Sequence, residues 1–170
     1  MLTKFKDITT FIFDVDGVLT DGSVYVNDQG EQTRAFNIKD GYALQLAVKC
    51  GYNVCAISGS RSKIAMHRLT TLGIKDIFLG SGIKTDTFKA YINERGISPM
   101  TVMYMGDDIP DLAVMQQVGM PVCPADAAEE IKELCEYVSP LPGGRGCARD
   151  VIEKTLKIQG KWMGAEAYSW

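Results

Sequence analysis

Phe13-Asp14-Val15-Asp16-Gly17 is the stretch on which the reading of this chain turns. An apolar run over residues 9–15 ends in two carboxylates and a glycine, as when a buried strand delivers acidic side chains into a tight turn. Alone, Asp-x-Asp-Gly is an ordinary turn; its surroundings give it meaning. Further strand-like runs at residues 53–57, 76–79, 101–105 and 120–123 alternate with helical patterns at 42–50, 62–72, 85–95 and 110–118. A last helix is expected over 147–158, after the glycine-rich turn Pro142-Gly143-Gly144-Arg145-Gly146. Gly51, Gly73, Gly96 and Gly119 each fall just past a predicted helix end, where a left-handed residue is wanted, and Pro110 suits a first helical turn. Strands alternating with helices of this length predict an α/β fold: a doubly wound, Rossmann-like parallel sheet with helices on both faces.

One segment breaks the rhythm. Within residues 20–38, Val24-Tyr25-Val26 and Thr33-Arg34-Ala35-Phe36 flank Asn27-Asp28-Gln29-Gly30, which reads as a β-hairpin. Leaving the sheet beside Asp14, such a hairpin either covers the site or pairs with other subunits through its edges.

With 46% hydrophobic and 23% charged residues, the 170-residue chain reads as one soluble globular domain over 1–170, ending in an aromatic tail at 160–170. No apolar run approaches the ~20 residues of a membrane span. The N-terminus turns charged before any long apolar stretch and does not read as a secretory signal. Five cysteines without a Cys-x-x-Cys pair fit reduced thiols in a cytoplasmic protein better than disulfides or a zinc site. A net charge of −3 argues against nucleic acid as a partner. The one histidine, His67, is expected on an exposed helix face.

In open α/β sheets ligands bind at the carboxyl ends of the strands. Asp14 and Asp16 end the first strand, Ser58 and Gly59 the second, and Gly106-Asp107-Asp108 with Asp111 the fourth; Lys84 opens the helix leading into that strand. Carboxylates crowded at one edge repel one another, and a hard divalent cation with oxygen ligands, magnesium above all, relieves the conflict. Ser58, nearby backbone N–H groups and Lys84 suit a phosphate. Asp14 is then the nucleophile, Asp16 the general acid and base, Asp107 a metal ligand, and Asp108 and Asp111 orient waters or hold Lys84. Lys89, on the same helix as Lys84, is expected to be solvated. A receiver-type phosphoacceptor domain is the alternative from another class. It is disfavoured because the second and third strands end in Ser58-Gly59 and Gly80-Ser81, without the phosphorylated aspartate such modules need.

Asp14-Val15-Asp16-Gly17, Ser58-Gly59, Lys84 and Gly106-Asp107-Asp108-Ile109-Pro110-Asp111 together resemble the four motifs of the haloacid dehalogenase superfamily of aspartate-nucleophile phosphatases. That resemblance implies magnesium held by Asp14, the main-chain carbonyl of Asp16, and Asp107. The hairpin in place of a cap, with Phe36-Asn37-Ile38-Lys39-Asp40-Gly41 and Gly143-Gly144-Arg145-Gly146, looks like the capless 3-deoxy-D-manno-octulosonate 8-phosphate phosphatases of lipopolysaccharide sugar synthesis. The likeness implies a homotetramer whose hairpins join in a central barrel, with active sites completed by neighbours and a tail able to enter them, Gly164 permitting the bend. Arg145 is the first candidate for the sugar carboxylate because its planar fork can pair bidentately; Lys39 and Arg61 follow. Ser60 stands where many of these enzymes carry arginine after the second-motif glycine. Nine-carbon keto-sugar acid 9-phosphates are therefore the alternative substrates.

Overall fold

The computed structural model describes residues 2–170. The elements run α1 (Leu2–Lys6), β1 (Thr10–Phe13), β2 (Tyr25–Val26), β3 (Gln32–Thr33), α2 (Ile38–Lys49), β4 (Asn53–Ser58), α3 (Lys63–Thr71), β5 (Asp76–Leu79) and α4 (Lys84–Arg95). They continue as β6 (Val102–Met105), α5 (Ile109–Met115), β7 (Met120–Cys123), α6 (Glu129–Leu134), β8 (Tyr137–Val138) and α7 (Cys147–Ile158). Six strands form one parallel sheet in the order β5-β4-β1-β6-β7-β8, and β2 and β3 form the antiparallel hairpin. No cap domain interrupts the described residues; the hairpin is the only sheet element between β1 and α2.

The strands are buried on both faces, which is why they read as continuous apolar runs. Phe11 and Phe13 point to one side of β1 and Ile12 to the other, following the period of two. Phe11, Phe13, Val54, Ala56, Met103 and Met105 pack beneath α2 and α7, with Leu69 and Leu72 from the α3 region. On the opposite face Ile12, Ile57, Val102 and Tyr104 meet Phe88 and Tyr91 of α4 and Val114 and Met115 of α5. The expected doubly wound sheet is therefore present, and Met103, Met105, Met115 and Met120 are core residues.

Several boundaries differ from expectation. β1 stops at Phe13, and the chain coils through Val15–Leu19 in a wide turn closed by Thr20 N–H donating to Val15 O at 3.0 Å. α2 starts at Ile38 rather than residue 42, because the Asn37 side chain accepts hydrogen bonds from the N–H groups of Lys39 and Asp40. α1, α6 and β8 had no clear pattern; each is a short piece of two to six residues. The hairpin ladder is shorter than predicted, with only Tyr25↔Thr33 and Val26↔Gln32 paired.

Gly119 is not left-handed, unlike Gly51, Gly73 and Gly96. It is needed for close approach instead, since a Cβ there would lie 2.1 Å from Met100 O. The tail is not a free end either. Tyr42 Oη donates to Ala167 O at 2.6 Å, Lys49 Nζ donates to Ser169 O at 2.8 Å, and Trp162 and Trp170 meet the Tyr42 ring edge-on. Its left-handed residues are Gly160, with φ +70°, and Met163, with φ +64°, rather than Gly164.

Candidate active site

After β1 the chain lays down β4 and β5 to one side of it and then crosses to place β6 on its other flank. The switch point lies between β1 and β6, the place in such sheets where a crevice opens. Asp14 follows β1 and Asp107 follows β6, so these two carboxylates stand on either side of it. Asp14 N–H donates to Met105 O at 3.0 Å, which fixes the loop start to the neighbouring strand.

Asp14, Asp16, Ser58, Gly59, Lys84, Asp107, Asp108 and Asp111 line one cleft of about 250 Å³, joined by Ser60 and Pro110. Lys84 Nζ lies 3.0 Å from Asp14 Oδ1 and 2.7 Å from Asp111 Oδ1. Lys84 is buried, whereas Lys89 faces solvent. Asp111 is fully occupied in holding this arrangement: Oδ1 also accepts from Tyr104 Oη at 2.6 Å, and Oδ2 accepts from Asp107 N at 3.3 Å. Ser58 Oγ accepts from Ser60 N at 3.1 Å. Asp108 caps α5, its Oδ1 accepting from Ile109 N at 2.8 Å.

Carboxylate oxygens of Asp14, Asp107 and Asp111 come within 4.8 Å of one another. Burial, followed by the Asp111 charge, pushes Asp14 up to about 6 even though Lys84 pulls the other way. Burial, then Asp14 and Asp111, pushes Asp107 up to about 7. Burial works against the Lys84 ammonium, but Asp14 and Asp111 outweigh it and raise its pKa. One lysine is thus surrounded by more negative charge than it can balance. Asp107 Oδ1 is moreover buried without a hydrogen-bond partner, and a buried carboxylate oxygen left so is costly unless a cation meets it. The backbone makes room for this crowding. Gly17, at φ +90°, is in the left-handed region, and a Cβ there would fall 2.0 Å from Asp107 Oδ2.

Three predicted substrate contacts lie outside the cleft lining. Arg145 and Lys39 face a separate cavity of about 560 Å³ with Arg149, Asp150, Glu153, Lys154 and Lys157. Arg145 pairs with Asp21 at 3.2 Å, and its side chain is 66% exposed. Arg61 is exposed and lies against the backbone at Gly80. The glycines around Arg145 have a packing duty: Gly144 N–H donates to Val18 O at 2.8 Å, and a Cβ on Gly143 would lie 1.9 Å from Gly17 O.

Two residues at the site went unremarked in the sequence. Tyr104 falls within the predicted strand at 101–105, and its buried hydroxyl needs a partner, here Asp111. Arg34 reaches from the end of the hairpin to Asp16, with Nε 2.5 Å from Oδ1 and Nη2 3.3 Å from Oδ2. Alternation along the outgoing arm carried the signal, since Arg34 shares its inward face with Phe36, two residues on.

A family model for haloacid dehalogenase-like hydrolases matches residues 62–148. The chain is 38% identical over 169 residues to the 3-deoxy-D-manno-octulosonate 8-phosphate phosphatase KdsC of Salmonella typhi, covering 99% of this chain and 90% of that protein. The crystal structure of the phosphatase of that name from Yersinia pestis superposes with a TM-score of 0.93 at 36% identity, covering 96% of this chain and 88% of the other. That from Moraxella catarrhalis, in complex with a magnesium ion, a phosphate ion and KDO, gives 0.92 at 32% identity, covering 95% and 92%. With its parallel sheet, its capless hairpin and its acidic switch-point cleft, the chain belongs to the haloacid dehalogenase-like hydrolases and, among them, to the 3-deoxy-D-manno-octulosonate 8-phosphate phosphatase family.

Proposed function

We propose that this chain is a magnesium-dependent phosphatase that hydrolyses 3-deoxy-D-manno-octulosonate 8-phosphate to the free sugar acid and phosphate in lipopolysaccharide sugar biosynthesis. The observation that carries the reading is the ammonium of Lys84 between Asp14 and Asp111, beside the partnerless buried oxygen of Asp107. The donor set is all oxygen, which suits magnesium. Asp14, Asp107 and the main-chain carbonyl of Asp16 would hold it. When bound, the ion supplies positive charge to the phosphoryl oxygens and relieves repulsion between the carboxylates.

The chain's own groups supply the rest. A carboxylate oxygen of Asp14 bonds to phosphorus as the ester P–O bond breaks, giving an aspartyl-phosphate. Asp16 gives its proton to the departing sugar oxygen, then takes one from the water that attacks the aspartyl-phosphate, so acid and base duties alternate on one carboxyl group. Lys84 holds Asp14 in its attacking orientation and offsets charge on the phosphoryl group. Ser58 Oγ accepts from Ser60 N–H and its own O–H donates to phosphate, with the backbone at Gly59 alongside. Asp108 and Asp111 position α5 and Lys84.

Further parts of the reading concern the assembly. The enzyme works in the cytoplasm, a setting supported by its five free thiols, and as a homotetramer. Tyr25, Val26 and Ile38 are 64%, 61% and 69% exposed around the hairpin, which supports a contact with further copies there. Arg145, Lys39 and Arg61 contact the sugar acid where neighbouring copies close the open cleft. A panel of phosphorylated eight- and nine-carbon keto-sugar acids, each assayed with magnesium, tests the reading. Fastest turnover of the eight-carbon ester is expected. Preference for the nine-carbon ester would change the substrate. Stoichiometric phosphorylation without turnover would overturn the hydrolase reading.

A further inference from the structure

The Arg34 side chain is only 5% exposed although it belongs to a hairpin whose paired residues all face solvent. It is more buried than its partner Asp16, whose side chain is 29% exposed. Its guanidinium touches three separate segments. Nε and Nη2 meet the two carboxylate oxygens of Asp16 after β1; Nη2 also lies 3.1 Å from Ser60 Oγ after β4 and 3.5 Å from Gln32 Oε1 on β3. A two-pronged contact fixes the plane and direction of a carboxylate, which a single point charge does not. Asp16 needs such help. It sits in a loop with extended backbone, φ −77° and ψ 120°, immediately before left-handed Gly17, and its side chain points to an open cleft mouth. The contacts with Ser60 and Gln32 anchor the same guanidinium on two further segments.

We propose that Arg34 is a positioning residue for the proton transfer, clamping the Asp16 carboxyl group so that it faces the oxygen leaving the phosphorus. This rests on the assignment of Asp16 as general acid. The hairpin then has a duty within its own chain: it carries the clamp. A misplacement of about 1 Å in a reacting group costs on the order of 100-fold in rate, so the clamp is expected to act on kcat and to leave KM within about threefold.

The test compares substrates whose leaving groups differ in their need for a proton. Hydrolysis of the aspartyl-phosphate is common to all substrates, so the readout is the single-turnover rate of leaving-group release. With alkyl phosphates, the sugar ester among them, Arg34→Gln should lower it by about 100-fold. With 4-nitrophenyl phosphate, whose phenolate leaves unaided, the loss should stay under about 10-fold. Arg34→Lys, which keeps the charge but not the fork, should show an intermediate loss with the same leaving-group pattern. Melting temperature and magnesium affinity are measured on both variants. If Arg34→Gln does not fold, Arg34→Lys carries the test alone.

Equal losses on both substrates, or a rise in KM with kcat unchanged, would overturn the clamp. Full activity in Arg34→Lys would do the same, leaving charge as all that matters. Asp16→Asn separates the two claims. If it too slows alkyl and aryl leaving-group release equally in a single turnover, the general-acid assignment fails; if it shows the leaving-group pattern and Arg34→Gln does not, only the clamp fails.

Discussion

Two charged cavities of this protein, one lined by Lys39 and Arg145 and the other by Asp14 and Lys84, differ in a way that size does not predict. The larger, about 560 Å³, is lined by Lys39, Arg145, Arg149, Lys154 and Lys157 with Asp150 and Glu153. Most of its charges are already matched: Arg145 with Asp21, Arg149 and Lys157 with Glu153, Lys154 with Asp150. Those on α7 follow i,i+4 spacing and are the ordinary dress of an amphipathic helix. The smaller cleft, about 250 Å³, holds three converging carboxylates against one lysine, with one oxygen lacking any partner. Exposed, balanced charge marks a surface. Buried, unbalanced charge marks a site that expects a ligand.

The contrast can be broken most severely at Asp14. Asp14→Asn keeps the shape and removes the nucleophile, and turnover should fall by about 10⁴-fold or more, read as phosphate release. Next is Asp107→Asn. Magnesium affinity, followed by calorimetry, should drop by at least about 100-fold. The metal-free variant should melt higher than the metal-free parent above pH 7, because a buried, uncompensated charge has been removed.

A smaller effect is expected from pH. An aspartate titrates near 3.8 when unperturbed, while folding raises Asp14 to about 6 and Asp107 to about 7. From about pH 4 to pH 7 the folded chain therefore holds protons that the unfolded chain has released. Their stabilisation is complete below about pH 4 and is lost as pH rises through 6 and 7. Thermal melts of metal-free protein should show this decline, saturating magnesium should flatten it, and magnesium affinity should climb over the same range. The smallest change belongs to the larger cavity. Lys157→Ala breaks one exposed pair with Glu153 and should cost about 0.3–0.5 kcal/mol by denaturant titration, with turnover unchanged.

Much of the sheet was legible because its strands are buried on both faces: Thr10–Phe13 and Val102–Met105 can hardly be anything but interior strands. The cleft was legible for a related reason. Polar residues that interrupt such runs at their carboxyl ends share one edge whatever the loops do, and Asp14, Ser58 and Asp107 are of that kind. What stayed hidden depends on partners remote in sequence. Asp40 looked like part of a signature stretch, yet it accepts from Gly146 N at 3.0 Å and Arg149 N at 2.7 Å, capping a helix 106 residues away. Arg34 looked like one more strand residue because nothing local names Asp16 as its partner. Arg145 was a plausible reader of an anion by its chemistry, and only the fold places it against Asp21, outside the cleft lining.

The central position of β1 has a consequence for how the molecule is made. Its two neighbours are β4, complete at residue 58, and β6, complete at residue 105. During synthesis the β5-β4-β1 half can assemble first, leaving one long side of β1 unpaired, with Phe11, Ile12 and Phe13 at a naked sheet margin. A ribosome-bound fragment at that stage already carries Asp14, Asp16, Ser58 and Lys84 but has no Asp107, so it has no complete metal site. The interval ends when β6 slots in beside β1. That pairing covers the open side of β1 and brings Asp107 to the cleft, so the central strand is closed and the set of carboxylates completed in one event.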